Sequence, residues 1–166
     1  MLSDGTINLL DMVVSVSNAI DLVSPEMGNH HKRVAYIALA VAQEMRLPPE
    51  LKHDLILSGL LHDIGALSRE DRRELVRFDD DGDENIHAHG EGAYLLLHKF
   101  RHFANVANVI RFHHVPWSAG VGRYFRGEEV PLASHLLHLA DRIDVLVDPP
   151  NPILGPVDSI AAAVSR

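Results

Sequence analysis

The 166-residue chain contains no cysteine, which excludes disulfide bonds, thiolate metal sites and a cysteine nucleophile. Aromatic residues make up only 5% of it, so the apolar content comes from leucine, valine, isoleucine and alanine, a mixture that suits packed helices. Basic residues are few as well, 15 against 23 acidic ones, and the formal net charge is -8. Bulk nucleic acid is therefore not an expected partner, because binding it needs a basic face.

Long apolar runs are also missing. No segment approaches the length of about 20 residues that a membrane span needs, and the sequence does not open on a basic stretch followed by an apolar run. We therefore expect a cytoplasmic protein without a membrane span. The length favours one domain that is large enough to bury a core.

Helical spacing of apolar residues runs along most of the chain, and no segment shows the alternation of a strand. We predict an all-α fold, a compact bundle of about seven helices. Gly65 is interpreted as the residue just past the end of a buried third helix. The predicted helices lie at about 6–23, 29–45, 48–64, 68–78, 90–100, 104–114 and 131–147, with a loop at 115–130 and a short helix after Pro156.

Histidine is in excess, with twelve residues, and several histidines and aspartates fall at predicted helix ends. Asp141 instead lies inside a helix among apolar neighbours, where an unpaired carboxylate would be costly. Imidazole and carboxylate donors without sulfur suit iron, manganese, nickel, cobalt or zinc, and seven donors exceed what one ion normally takes. The seven are His30, His62, Asp63, His89, His113, His114 and Asp141.

These donors occur in an ordered set of short motifs. The motifs are His30 with Arg33-Val34 behind it, Leu61-His62-Asp63-Ile64-Gly65, His89, His113-His114-Val115-Pro116-Trp117, and Asp141 in Leu-Ala-Asp. The set resembles the HD superfamily of metal-dependent phosphohydrolases, over roughly residues 26–147. Within it the chain is most similar to the HD-GYP group, whose better-known members hydrolyse cyclic di-GMP in signalling.

The resemblance implies two ions in a cleft of the core, with Asp63 bridging them. One ion would be bound by His30, His62, Asp63 and Asp141, and the other by His89, His113 and His114. Iron or manganese is favoured over nickel, cobalt and zinc. Glu26, four residues before His30, could add a third ion. His87 competes with His89 for the same role, and we prefer His89 because Glu91 and Tyr94 then match the pattern of the family.

The resemblance also implies a reaction, the hydrolysis of a phosphodiester by a hydroxide held between two ions, with His62 and Asp63 as the catalytic pair. Metal ions lower the pKa of bound water from about 15.7 towards 7. The substrate would be a small phosphorylated molecule, either cyclic-dinucleotide-like or another nucleotide. Arg111, Arg123 and Arg126 are candidates for phosphate contacts on position alone.

Three departures from the family concern substrate handling. The Gly-Tyr-Pro triplet is absent from the loop at 118–126, Ala66 replaces a common lysine, and Asp148-Pro149-Pro150 replaces basic and aromatic residues. We therefore expect cyclic di-GMP to be a poor substrate. The alternatives are a phosphomonoesterase specificity, or a degenerate HD-GYP regulatory module that binds metal or nucleotide with little turnover and signals to an attached or partner domain.

The remaining residues receive less specific interpretations. We divide the chain into an N-terminal helix within 1–25 that packs on the core, a metal-binding catalytic core at 26–147, and a proline-rich segment with a short helix at 148–166, where the chain is either truncated or divergent. The acidic run at 79–84 is interpreted as a solvated loop. Surface or packing roles are expected for His31, His53, His98, His102, His135 and His138.

Overall fold

A computed structural model of the chain describes residues 8–23, 28–66 and 86–147. The predicted helix at 68–78, the acidic loop at 79–84 and the helix after Pro156 lie outside the described residues. Glu26 lies outside them too. None of the helices in the described ranges has both the length and the apolar character needed to cross a bilayer.

Helices account for nearly all regular structure in these ranges, and the predicted all-α class is confirmed. The six α-helices are α1 (Leu9–Val23), α2 (His30–Glu44), α3 (Pro49–Leu61), α4 (Ile86–Leu97), α5 (Ala104–Arg111) and α6 (Leu132–Val147). Short 3-10 segments lie at Arg101–Phe103 and Ser118–Arg123. Two strands of two residues each, β1 (Tyr124–Phe125) and β2 (Glu128–Glu129), pair antiparallel.

The β-hairpin lies in the segment that was predicted to be a loop. Its strands are too short to show alternation, but its turn has a clear cause. Arg126 and Gly127 both have positive φ, 51° and 85°, which is the combination that a tight two-residue hairpin requires.

Helix α3 is the central element of the bundle, packed between α1, α2, α5 and α6. It is buried on most sides along its second half, from Leu55 to Leu61, as expected for a helix without a polar face. Gly59 allows α2 to approach closely, because an added Cβ would lie 2.6 Å from the Cα of Ala35. The end of α3 therefore delivers the next two residues, His62 and Asp63, into the interior.

Helix α4 begins at Ile86 rather than near Gly90. Gly90, at the predicted start, lies inside the helix, where an added Cβ would be 2.9 Å from the carbonyl oxygen of Arg111. The glycine permits α4 and α5 to pack closely. Gly90 thus serves a contact between two helices, and α4 begins four residues before the predicted start.

Gly65 also has a different role from the predicted one. Helix α3 ends at Leu61 and continues into a turn, and Gly65 is not among the described glycines with positive φ. A Cβ at this position would lie 2.0 Å from the carbonyl oxygen of His89 and 2.5 Å from the backbone nitrogen of Ala93. Because Gly65 has no side chain, the turn at residues 62–65 can contact the backbone of α4.

Gly65→Ala should therefore destabilise the protein, by roughly 1–3 kcal/mol or more, because backbone atoms rather than flexible side chains must move. Gly92→Ala is the matched control on the other side of the same contact, since its Cβ would lie 3.5 Å from the Gly65 carbonyl oxygen, an ordinary distance. In the helix interior that alanine should be neutral or stabilising by up to about 1 kcal/mol. Urea denaturation measures both, and an unchanged midpoint for Gly65→Ala would contradict the packing described.

Candidate metal centre

Three of the histidines at the centre of the bundle have their Nδ1 atoms fixed by hydrogen bonds. His62 donates from Nδ1 to the carbonyl oxygen of Gly59 over 2.9 Å, and His113 donates to that of Ile110 over 2.6 Å. His30 donates from Nδ1 to Oδ2 of Asp144 over 2.7 Å. Each of these imidazoles therefore presents its Nε2 atom to the interior, the nitrogen through which a neutral imidazole of this tautomer binds a metal ion.

The first group of donors is formed by His30, His62, Asp63 and Asp141, all of them buried. His30 Nε2 lies 3.3 Å from His62 Nε2 and 3.3 Å from Asp141 Oδ1. His62 Nε2 lies 3.3 Å from Asp63 Oδ2 and 3.7 Å from Asp141 Oδ1. Four donors from three separate segments thus meet around one point.

A second group consists of His89, His113 and His114, which are also buried. The Nε2 atom of His89 lies 3.2 Å from that of His113 and 2.9 Å from that of His114. The three ring nitrogens can be shared by one cation. His87, the alternative to His89, lies outside this group and packs against the ring of Phe125 at 4.6 Å between centroids.

Asp63 stands between the two groups. Its Oδ2 faces the first group, and its Oδ1 lies 3.6 Å from Nε2 of His89 and 4.0 Å from Nε2 of His113. The two oxygens of one carboxylate therefore point at two different sets of imidazoles, which is the arrangement that bridging requires.

The spacing of the donors fits metal ions. Ligands about 2.1 Å from an ion lie about 3.0 Å apart in octahedral and about 3.4 Å apart in tetrahedral geometry. Within the first group, the distances among His30, His62 and Asp141 are 3.3–3.7 Å. Those in the second group, 2.9 and 3.2 Å, are equally compatible.

The two groups of donors differ in the charge of their side chains. Burial alone would raise the pKa of Asp141, but Arg142 and hydrogen bonds from His30 and His62 hold that pKa well below its usual value. Burial alone would lower the pKa of His30, but hydrogen bonds to Asp141 and Asp144 raise it to about 10. By contrast, burial and the neighbouring imidazoles lower the pKa of His113. The first group is thus built around ionised carboxylates and the second around neutral imidazoles.

Asp144 is a residue of the site that sequence reasoning missed. Besides accepting from His30, it is held by Arg33, whose Nε and Nη2 lie 2.6 and 2.9 Å from its two oxygens. The signal was its position one turn after Asp141 on an apolar helix, where a second carboxylate also needs a partner. The Arg33–Asp144 pair orients the imidazole of His30.

Helix α6 also holds in place the segment that contains His113 and His114. His138 donates from Nδ1 to the carbonyl oxygen of His113 over 2.9 Å, and His135 donates to that of Val115 over 3.0 Å. Both were interpreted as surface or packing residues. In the packed interior they hold the backbone around the second group.

His31 lies at the first group as well. It is wholly buried, its Nδ1 bonds to Asp21, and its Nε2 is 3.6 Å from Oδ2 of Asp63. The sequence placed it among the histidines without a site role, since no motif included it.

The three arginines proposed to contact phosphate have partners on the protein itself. Arg111 is paired with Glu91 and Glu128, at 2.6 and 2.8 Å. The guanidinium of Arg126 lies 5.1 Å from the ring centroid of Phe125, and Arg123 is largely exposed. Their contact with substrate stays a prediction.

Fold and site together define a helical domain with paired histidine–aspartate clusters that could hold metal. A family model, the HD domain, matches residues 27–146, and the chain belongs to that family. HD domains bind divalent metals, which agrees with the two clusters.

Two curated relatives come from Vibrio cholerae serotype O1. The 3'3'-cGAMP-specific phosphodiesterase 1 is 29% identical over 143 residues, which is 86% of this chain and 32% of that protein. The 3'3'-cGAMP-specific phosphodiesterase 3 is 26% identical over 159 residues, 93% of this chain and 35% of that protein. The chain thus spans about a third of the length of the curated relatives it matches. No solved structure matches it significantly.

Asp63→Ala should lose more than one equivalent of metal, because the carboxylate faces both groups. Asp141→Ala is the comparison, and it should lose no more than one equivalent, because Asp141 faces only the first group. Elemental analysis of protein purified after loading with manganese or iron gives both values. Equal losses from the two variants would contradict a bridging Asp63.

Proposed function

We propose that the domain is a metal-dependent phosphohydrolase that cleaves a phosphodiester bond of a cyclic dinucleotide. The observation that carries the proposal is the position of Asp63, with one oxygen towards each group of imidazoles. The names of the two relatives, both phosphodiesterases specific for 3'3'-cGAMP, support this class of substrate. Among HD proteins we assign the chain to a divergent branch near the HD-GYP group, on the strength of its motifs and despite the missing triplet.

In this proposal the residues of the chain hold and orient two ions. His30, His62 and Asp141 would hold one, the three imidazoles of the second group would hold the other, and Asp63 would offer one oxygen to each. Divalent ions supply, when bound, an activated water at neutral pH and positive charge beside the phosphoryl oxygens. The hydrogen bonds at Nδ1 of His30, His62 and His113 orient these three imidazoles, so that little reorganisation is needed during the reaction.

Charge at the site explains how an acidic chain accepts an anionic substrate. Asp144 is paired with Arg33, so Asp63 and Asp141 are the carboxylates among the described residues that face the centre, and Asp141 is itself paired with Arg142 at 2.6 Å. Two divalent cations would outweigh these two negative charges. The attraction for a phosphodiester then comes from the ions rather than from the protein surface.

The segment that follows His113 and His114 exposes aromatic rings that suit contacts with the bases of a cyclic dinucleotide. Trp117 is 49% exposed and packs by its edge against His135, and Tyr124 is 61% exposed. Exposed aromatic rings stack on bases without strong sequence preference. We therefore assign base contacts to the region from Trp117 to Phe125.

Hydrolysis of a small activated phosphodiester should require manganese or ferrous iron, and a chelator should abolish it. His62→Ala and Asp141→Ala should each lower kcat/KM by at least about two orders of magnitude, because each removes a ligand of the first ion. His98→Ala is the control, since its imidazole hydrogen-bonds to the carbonyl oxygen of Tyr94, stacks on the ring of the same residue and belongs to neither group of donors. An equal loss for His98→Ala would show that the site has been assigned wrongly.

Among cyclic dinucleotides, we expect a higher kcat/KM for 3'3'-cGAMP than for cyclic di-GMP, because the parts that handle the latter in the HD-GYP group are altered here. Trp117→Ala should raise KM for the dinucleotide while leaving the small diester unaffected, since only the larger substrate reaches that ring. Preference for cyclic di-GMP would mean that the loop at 118–126 recognises it by another route. Tight binding of dinucleotide by metal-replete protein without turnover would favour the regulatory alternative.

A further inference from the structure

His31 is placed next to His30 in the first turn of α2, and both side chains are buried. Its Nδ1 donates to Oδ1 of Asp21 on α1 over 2.5 Å. The other oxygen of Asp21 accepts from the backbone N–H of Asn29 over 3.1 Å. Asp21 is thus fixed by two hydrogen bonds, and it orients His31 as Asp144 orients His30.

The opposite nitrogen of His31 points into the site and lacks a hydrogen-bond partner among the described residues. It lies 3.6 Å from Asp63 Oδ2, which also lacks one. A buried polar atom without a partner is unfavourable, because it has given up its hydrogen bonds to water. A cation between these two atoms would satisfy both.

Ring positions agree with a ligand role. The centroids of His30, His31 and His62 are 5.1–5.3 Å apart, an almost equilateral triangle. In the second group, the centroids of His89 and His113 are 5.0 Å apart. The other two pairs of that group are closer, at 4.6 and 4.0 Å. His31 lies as close to His30 and His62 as those two rings lie to each other.

We propose that His31 is a further ligand of the ion bound by His30 and His62, with Asp21 as the carboxylate that orients it. Each ion then has three imidazoles and one oxygen of Asp63, and the first has Asp141 in addition. Five protein donors exceed the four of a tetrahedral zinc site, so the first position should favour manganese or iron. This inference rests on the metal centre of the proposed function and not on its substrate.

The test isolates the first ion by working in a His89→Ala background, in which the second group is incomplete. Adding His31→Ala should weaken the binding of Mn²⁺ and Co²⁺ at least about tenfold, and it should change the visible absorption of the Co²⁺-loaded protein, because a nitrogen ligand is lost. Adding Asp21→Asn instead should weaken binding about 10–100-fold, as expected when a residue that orients a ligand is removed. Adding His98→Ala should change neither quantity.

Three results would overturn the assignment. One is wild-type affinity with an unchanged Co²⁺ spectrum in His31→Ala. Another is weaker binding with an unchanged spectrum, which would mean that His31 only orients Asp63. The third is an unchanged metal affinity in Asp21→Asn. This variant keeps the imidazole of His31, so it still tests the assignment if His31→Ala misfolds. Circular dichroism checks the folding of each variant. If metal binding depends on His31 but the protein hydrolyses no phosphodiester, the phosphodiesterase proposal is contradicted and the assignment of His31 stands.

Discussion

A carboxylate buried between two clusters of imidazoles is the constraint on which the rest of this structure depends. Asp63 is almost wholly inaccessible, and its two oxygens face different histidines. Burial by itself raises the pKa of a carboxyl group, yet His62, His31 and His89 hold the pKa of Asp63 well below its usual value. An ionised carboxylate in this position needs positive charge around it. The surrounding helices place imidazoles there, which can carry that charge themselves or bind a metal cation.

The ends of the helices and the orientation of the ligands have a common origin. The last carbonyl groups of a helix lack partners within it. In α3 and α5 such carbonyls, those of Gly59 and Ile110, accept from the Nδ1 atoms of His62 and His113, three residues further along. Each imidazole therefore caps the helix that presents it, and its Nε2 is directed into the core by the same bond.

Small residues make this convergence sterically possible. Gly59, Gly65 and Gly90 each face the backbone of a neighbouring segment at a distance that a side chain would not allow. The three glycines bring α2, α4 and α5 close to the segments that carry the donors. Donors on separate elements can then share one ion.

Sequence reasoning recovered the parts of this design that are local in the chain. The helical class and the ordered donors follow from spacing and motif, and the structure brings His30, His62, Asp63 and Asp141 together. Residues that act through distant contacts left no local signal. Asp144 is 114 positions from His30, and Asp21 is separated from His31 by the end of one helix and the start of another.

The glycines illustrate the same limit. Gly65 was interpreted as the residue past a helix end, because glycine often occurs there, and the predicted helix at 90–100 began at Gly90. The role of both glycines is set by helices that pack across the bundle. Glycine at a tight tertiary contact and glycine at a helix end look identical in a sequence. Only the positions of α4 and α5 distinguish them.

The central claim is that Asp63 joins two ions, and anomalous X-ray scattering from crystals of the metal-loaded protein tests it most directly. Data collected on either side of the absorption edge of the metal locate each ion independently of the protein model. The account predicts two peaks, one within bonding distance of each Asp63 oxygen, with three imidazole nitrogens around the peak near His89. A single peak, or peaks that do not contact Asp63, would contradict it.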